Sequence, residues 1–188
     1  MLTPLPDANW PAAISDMHSG FAGRLNVYRT MAHHPDLLGS WANFRNHVVV
    51  NTALGLERSE VVILRSGINL RSTYEWAHHV SRARKLGMSE ERILSIGGPV
   101  AAMAEEDALL ARAVDQLFAH HRLLPGTQAA LAARVGVEGM LDLMATVAHY
   151  SLLGFILNSF DVPIDDDIAA ETTPPAPIDP AFATDDLE

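Results

Sequence analysis

The sequence contains no cysteine. That absence excludes disulfides, thiolate-ligated zinc, iron–sulfur clusters and every thiol-based mechanism. A basic footprint is also missing. The net charge is −10, and residues 163–188 carry eight acids, no bases and five of the eleven prolines, which leaves the preceding body at −2. With its few cations scattered, the chain has neither the basic face that nucleic acid requires nor the cluster that an anionic membrane surface attracts. No uninterrupted apolar run reaches the length of a membrane span. "MLDLMATVAHYSLLGFILNSF" comes nearest and is broken by Asp142, His149 and Asn158. The opening "MLTPLPDANWPAAIS" lacks the basic and apolar regions of a signal peptide, so a cytoplasmic location is expected.

What is present is a globular composition: 48% apolar and 19% charged over 188 residues, with a mean hydropathy of +0.10. The pattern predicts one helical domain over residues 1–162 and an acidic, Pro-rich tail over 163–188 without regular structure. Ile164, Ile168, Ile178, Phe182 and Leu187 are the larger apolar groups that would dock that tail on the body or on a neighbouring subunit.

Helical periodicity runs through the body. "AGRLNVYRTMAHH" is predicted as one helix stopping at Pro35, with His33 and His34 at its C-terminus. "DLLGSWANFRNHVVVNTAL", "ERSEVVILRSGINL", "YEWAHHVSRARKLG" and "SEERILSI" follow, then "EEDALLARAVDQLFAHHR" up to Pro125-Gly126, and two further helices over 127–160. "VVIL" and "HVVVN" have strand propensity, but no hairpin turn offers them a partner. The predicted class is all-α.

"STYEWAHHV", residues 72–80, is the densest group of proton-handling side chains. On a helix Trp76, Val80, Ala83 and Gly87 share a core face, while Glu75 and His79, four apart, are neighbours at its edge. An adjacent carboxylate fixes an imidazole's orientation and favours its protonated form, so this pair can move protons near neutral pH. A solvated surface pair is the bland alternative. Glu60 shares a predicted face with Ile63, Leu64 and Gly67, where a carboxylate needs a partner, either a salt-bridging arginine or a role in the same site. Metal binding is disfavoured. Glu75-x-x-His78 has no second Glu-x-x-His to complete a di-iron set, and the adjacent pairs His33-His34, His78-His79 and His120-His121 diverge by about 100° on a helix.

The run "ERSEVVILRSGINLRSTYEWAHHVSRARKLGMSEERI" resembles the core motif of the carboxymuconolactone decarboxylase / alkyl-hydroperoxidase D-like family, with supporting likeness in "LNVYRTMAHHPDLLGSWANF" and "DALLARAVDQL". The family's redox branch carries a glutamate, two cysteines and a histidine at the spacing occupied here by Glu60, Ser72, Glu75 and His79. The spacing is kept and both thiols are gone, so peroxidase chemistry is not expected, and the cysteine-free decarboxylase branch matches better. The resemblance implies a fold of related helical hairpins, assembled as a homo-oligomer (dimer, trimer or hexamer). It further implies a cofactor-free lyase acting on a small carboxylated lactone or related product of aromatic breakdown. His79 would supply the proton, Glu75 orient it and Glu60 complete the relay, with Ser72, Tyr74 and His78 contacting substrate. The competing expectations are a non-catalytic, small-molecule-binding helical oligomer and a remnant of the peroxidase branch.

Overall fold

The computed structural model describes residues 2–171, and among these there are helices and no strand. Two short 3-10 turns, Asp7–Asn9 and Ala12–Met17, lead into α1 (Phe21–Arg24), α2 (Asn26–Met31), α3 (Pro35–Val50), α4 (Leu56–Asn69), α5 (Thr73–Lys85) and α6 (Glu90–Ile96). A third 3-10 turn, Val100–Ala102, precedes α7 (Glu105–His120), α8 (Pro125–Phe160) and α9 (Asp166–Glu171).

The hub is α4, which packs against α5, α7 and α8. Every residue from Ser59 to Gly67 is buried, so this helix has no solvent face over nine consecutive positions. Two hydrophobic clusters form on either side of it. Val61, Leu64, Trp76, Val80, Leu110, Val114 and Leu143 belong to one. Val27, Tyr28, Trp41, Val48, Ile63, Tyr74, Tyr150 and Leu153 belong to the other. Because α4 and α5 each contribute to both clusters, the residues between those faces lie at the seam, and this is where Glu60, Glu75 and His79 fall. Gly67 lets the two helices close on one another: a Cβ there would stand 3.4 Å from Glu75 Cβ and 3.5 Å from the Trp76 nitrogen.

Caps set several boundaries. Ser72 accepts a hydrogen bond from the Glu75 N–H at 3.3 Å and starts α5. Ser89 does the same for the Arg92 N–H, beginning α6 ahead of Glu90 and Glu91. A buried bidentate pair, Arg65 to Asp115 at 2.8 and 2.6 Å, ties α4 to α7, and Arg65 also donates to the carbonyls of Ile96 and Gly98. All five guanidinium donors need acceptors inside a protein, and this one spends four contacts on them.

The structure departs from the sequence pattern in four places. The first predicted helix is split: Leu25 is extended between α1 and α2, and the freed Asn26 N–H donates to Asp165 at 3.0 Å. His34 is the N-cap of α3 rather than part of a helix C-terminus, its Nδ1 accepting from the Leu37 N–H. The two helices expected over 127–160 are one long element, α8, broken at Gly136, whose φ of 72° and ψ of 179° only glycine adopts readily. By length and composition α8 could also cross a bilayer; here its apolar face packs against α3, α4 and α7. Finally, the expected irregular tail begins with order. Asp166–Glu171 forms α9 against α5, Ile168 is buried, and Glu171 receives hydrogen bonds from Ser81 and Arg84. Ile178, Phe182 and Leu187 lie outside the described residues.

Candidate active site

Helix α5 presents Glu75, His79 and Arg82 on one side, since positions four and seven apart come within about 40° on an α-helix. Glu60 meets them from α4. His79 Nδ1 donates to Glu60 Oε2 at 2.6 Å, and Arg82 Nε donates to Glu60 Oε1 at 3.1 Å. On the far edge of the same imidazole, Nε2 lies 3.5 Å from Glu75 Oε2. The ring of Tyr150, from α8, meets the His79 ring edge to face at 5.0 Å between centroids. Glu60, Glu75 and His79 are all buried, at 2%, 3% and 4% exposure, so the edge predicted for them is an interior seam. It is roofed by α2, α3 and α8, whose Val27, Tyr28, Arg45, Val49, Tyr150 and Leu153 share a small cavity of about 50 Å³ with Glu75 and His79.

These surroundings assign protons. Burial opposes ionisation of Glu60, but the charges and hydrogen bonds of His79 and Arg82 outweigh it and hold its pKa below the usual range. Burial drives the His79 pKa down; Glu60 opposes that shift, and the positive neighbours Arg82 and His78 reinforce it. Glu75 is different. Burial, then the Glu60 charge, push its pKa up to about 8, with Arg82 pulling weakly the other way. Its Oε1 is buried without a partner. At neutral pH the consistent arrangement is therefore an ionised Glu60, a neutral His79 protonated at Nδ1, and a protonated Glu75 facing the free Nε2. One proton is left that can move between Glu75 and His79.

The remaining predicted residues are placed as follows. Ser72 is committed to capping α5 and is itself buried. Tyr74 stacks on His78 at 4.1 Å, and both meet Asp165, the tyrosine hydroxyl donating at 2.5 Å and His78 Nε2 lying 3.0 Å away. Burial, followed by the Asp165 charge, raises the Tyr74 pKa far above its ordinary value, so this phenol is a fixed donor. The structure thus unites Glu60, Glu75 and His79 and puts Tyr74 and His78 beside them along α5. It also adds Arg82, Arg45, Tyr150 and Asp165. Arg82 was readable from its spacing to Glu75 and His79; the other three come from distant segments and carry no local signal. Among the described residues no group of three or more His, Asp or Glu is gathered around a point suited to a metal ion. Glu60 and Glu75 instead occupy opposite ring nitrogens of His79.

Residues 35–119, the span from α3 through most of α7, match the carboxymuconolactone decarboxylase family. Over this span the chain is similar to that family. The chain has no cysteine at any position. Solved structures extend the likeness over nearly the whole chain. The debrominase Bmp8 in its apo form is similar with a TM-score of 0.73 at 16% identity, covering 90% of this chain and 95% of that one. A cysteine-to-alanine variant of the same debrominase, in complex with 2,3,4-tribromopyrrole, gives 0.70 at 16% identity, covering 90% and 94%. An alkylhydroperoxidase AhpD core, an uncharacterized peroxidase-related protein from Ralstonia eutropha JMP134, gives 0.71 at 14% identity, covering 89% and 95%. At such identities the likeness establishes the alkyl-hydroperoxidase D-like fold alone. No curated protein matches the sequence. Glu75, which the resemblance aligns with the second thiol of the redox branch, is a buried carboxyl and cannot form a disulfide.

Proposed function

We propose that the protein is a cofactor-independent lyase that decarboxylates a small carboxylated lactone, or a related product of aromatic breakdown, by acid/base chemistry. The observation that carries this reading is the buried Glu75 carboxyl lying 3.5 Å from His79 Nε2, with burial pushing its pKa up to about 8. When the substrate carboxylate leaves as carbon dioxide, the electron pair of the broken carbon–carbon bond passes into the conjugated lactone carbonyl and forms a dienolate. Glu75, through or beside His79, gives its proton to the carbanionic carbon. A new C–H bond forms, Glu75 is left as a carboxylate, and a proton from solvent restores it. Glu60, held ionised by Arg82, keeps the imidazole in one tautomer throughout. The dry setting makes the transfer effective, because a proton donor with a pKa near the working pH is matched to this task.

The family match over residues 35–119 supports the reading, as does the small-ring ligand of the structurally similar debrominase. The thiol chemistry of redox relatives has no counterpart in a chain without cysteine. A cavity of about 50 Å³ accommodates only a few waters, so a lactone enters as the roof of Tyr28, Arg45 and Leu25 moves. Self-association into a homo-oligomer belongs to the same proposal; Val137, Leu141 and Phe155 leave apolar side chains exposed along α8. The decisive experiment is release of carbon dioxide from a carboxylated butenolide by purified protein in D2O. Deuterium at the former carboxyl-bearing carbon or its conjugated position is expected. Absence of carbon dioxide across a panel of such lactones sinks the proposal.

A further inference from the structure

Arg45 is the one cation at the cavity that the relay does not use. It projects from α3, lines the same cavity as Glu75 and His79, and lies over the Phe21 ring at 4.3 Å. Among the described residues no carboxylate forms an ion pair with it. Its Nε is buried and has no hydrogen-bond partner. One turn earlier on α3, Trp41 is 8% exposed, and its indole Nε1 is likewise buried and unpartnered. Both donors lie near the Tyr28 hydroxyl without reaching hydrogen-bond geometry with it. Burial raises the Tyr28 pKa to about 12, against the opposing influence of Arg45.

The neighbouring groups add no negative charge. His149 stacks on Trp41 at 4.2 Å, and burial, followed by the Arg45 charge, pushes its pKa down to about 3, so it is neutral. Glu75 is uncharged below about pH 8. Buried donors left unsatisfied are costly, and more so when charged. The Arg45 guanidinium lines the cavity with Glu75, and the Trp41 indole N–H one turn earlier on α3 is a second buried donor without an acceptor, so the two together offer partners to a small anion.

We infer that Arg45 and Trp41 form a carboxylate subsite at the cavity, which holds a carboxylate of the ligand while its ring lies against Tyr150 and His79. The inference deepens the lyase reading and rests on it for calling that carboxylate a substrate's. The planar guanidinium suits a carboxylate because two of its N–H groups match the two oxygens. Phe21 holds the guanidinium plane from behind, and the Trp41 N–H supplies a further donor.

The test uses an isosteric pair, furan-2-carboxylate and furan-2-carboxamide, titrated calorimetrically into full-length protein at pH 6.5, where Glu75 is uncharged. The wild type is expected to bind the acid at least tenfold more tightly than the amide. Arg45→Gln should bring the two affinities level, and Arg45→Lys should restore only part of the difference. Trp41→Phe keeps the ring and deletes the donor, so it should weaken the acid severalfold and leave the amide unchanged, a result that serves even where the arginine variants fold poorly. Equal wild-type affinities, or a preference that survives Arg45→Gln and Trp41→Phe, overturns the subsite. A preference that Arg45→Gln removes, in a protein that releases no carbon dioxide from any lactone, supports the subsite and sinks the lyase reading alone.

Discussion

In the proposed reaction Glu75 delivers the proton, and its burial has a thermodynamic cost. Its pKa rises from 4.5 to about 8 on folding, so between those values the folded chain binds a proton that the unfolded chain releases. Stability from this group is therefore full below about pH 4.5 and is lost as pH rises through about 8. Glu75→Gln removes the titration, so its melting temperature should gain on the wild type from pH 5 to pH 8.5, as scanning calorimetry would show. A constant difference across that range would mean Glu75 is already ionised in the fold. Glu60 has the opposite character, ionised by its partners. Since the Glu60 charge helps to raise Glu75, Glu60→Gln should lower the Glu75 pKa and shift the alkaline limb of kcat/KM to lower pH, beyond any loss of amplitude. A destabilised variant with an unmoved pH profile would reduce Glu60 to a core salt bridge. His79→Gln should cost about 10²–10⁴ in kcat, the usual worth of a missing proton-transfer group, with circular dichroism unchanged.

At the scale of elements, the site was legible wherever it lay on one helix. The four-residue spacing of Glu75 and His79 placed them together, and the apolar neighbours of Glu60 marked it as a buried carboxylate needing partners. Both partner types offered for it are present, since it binds His79 and Arg82 together. What spacing could not give was how α4 approaches α5, or that α3 and α8 close over the seam. Those depend on side chains far apart in the chain, which is why Arg45, Tyr150 and Asp165 went unseen. The break at Leu25 was hidden for the same reason, because the Asn26 amide it frees is satisfied by Asp165, 139 positions later. The sequence pattern places two helices over 127–160, and the interruption of α8 within that span falls at Gly136. At its φ of 72° and ψ of 179° any other residue is strained, and a Cβ there meets nothing within 4 Å, so the penalty is purely one of backbone. Gly136→Ala should lower stability by about 1–3 kcal/mol, seen as a lower urea midpoint at an unchanged slope. A wild-type midpoint would show that α8 can straighten without loss.

For the whole molecule, the segment after α8 closes the fold over its own site. Asp161, in the left-handed region at φ 48°, ends α8 and turns the chain back. Asp165 then accepts from the Asn26 N–H and the Tyr74 hydroxyl and faces His78, so one carboxylate joins α2 to α5 beside the cavity. Burial opposes ionisation of Asp165, but its contacts with His78, Tyr74 and Asn26 prevail and hold its pKa below the ordinary range. Farther on, Ile168 is buried and Glu171 accepts from Ser81 at 2.6 Å. Truncation after Asp161 deletes all of these at once: it exposes apolar surface under Ile168, strands the Asn26 amide, leaves Tyr74 without its acceptor and removes the carboxylate that His78 faces. The truncated chain should therefore melt lower than the full-length protein at neutral pH. Asp165→Asn isolates the electrostatic share of that loss. It keeps the shape but removes the charge facing His78, so its deficit against the wild type should shrink as pH falls and wild-type Asp165 itself becomes protonated. Calorimetry of the three proteins from pH 3 to pH 7 checks both statements. Identical melting curves for truncated and full-length chains would mean that α9 rests on the body without stabilising it, and that the α2–α5 junction holds by its hydrophobic contacts alone.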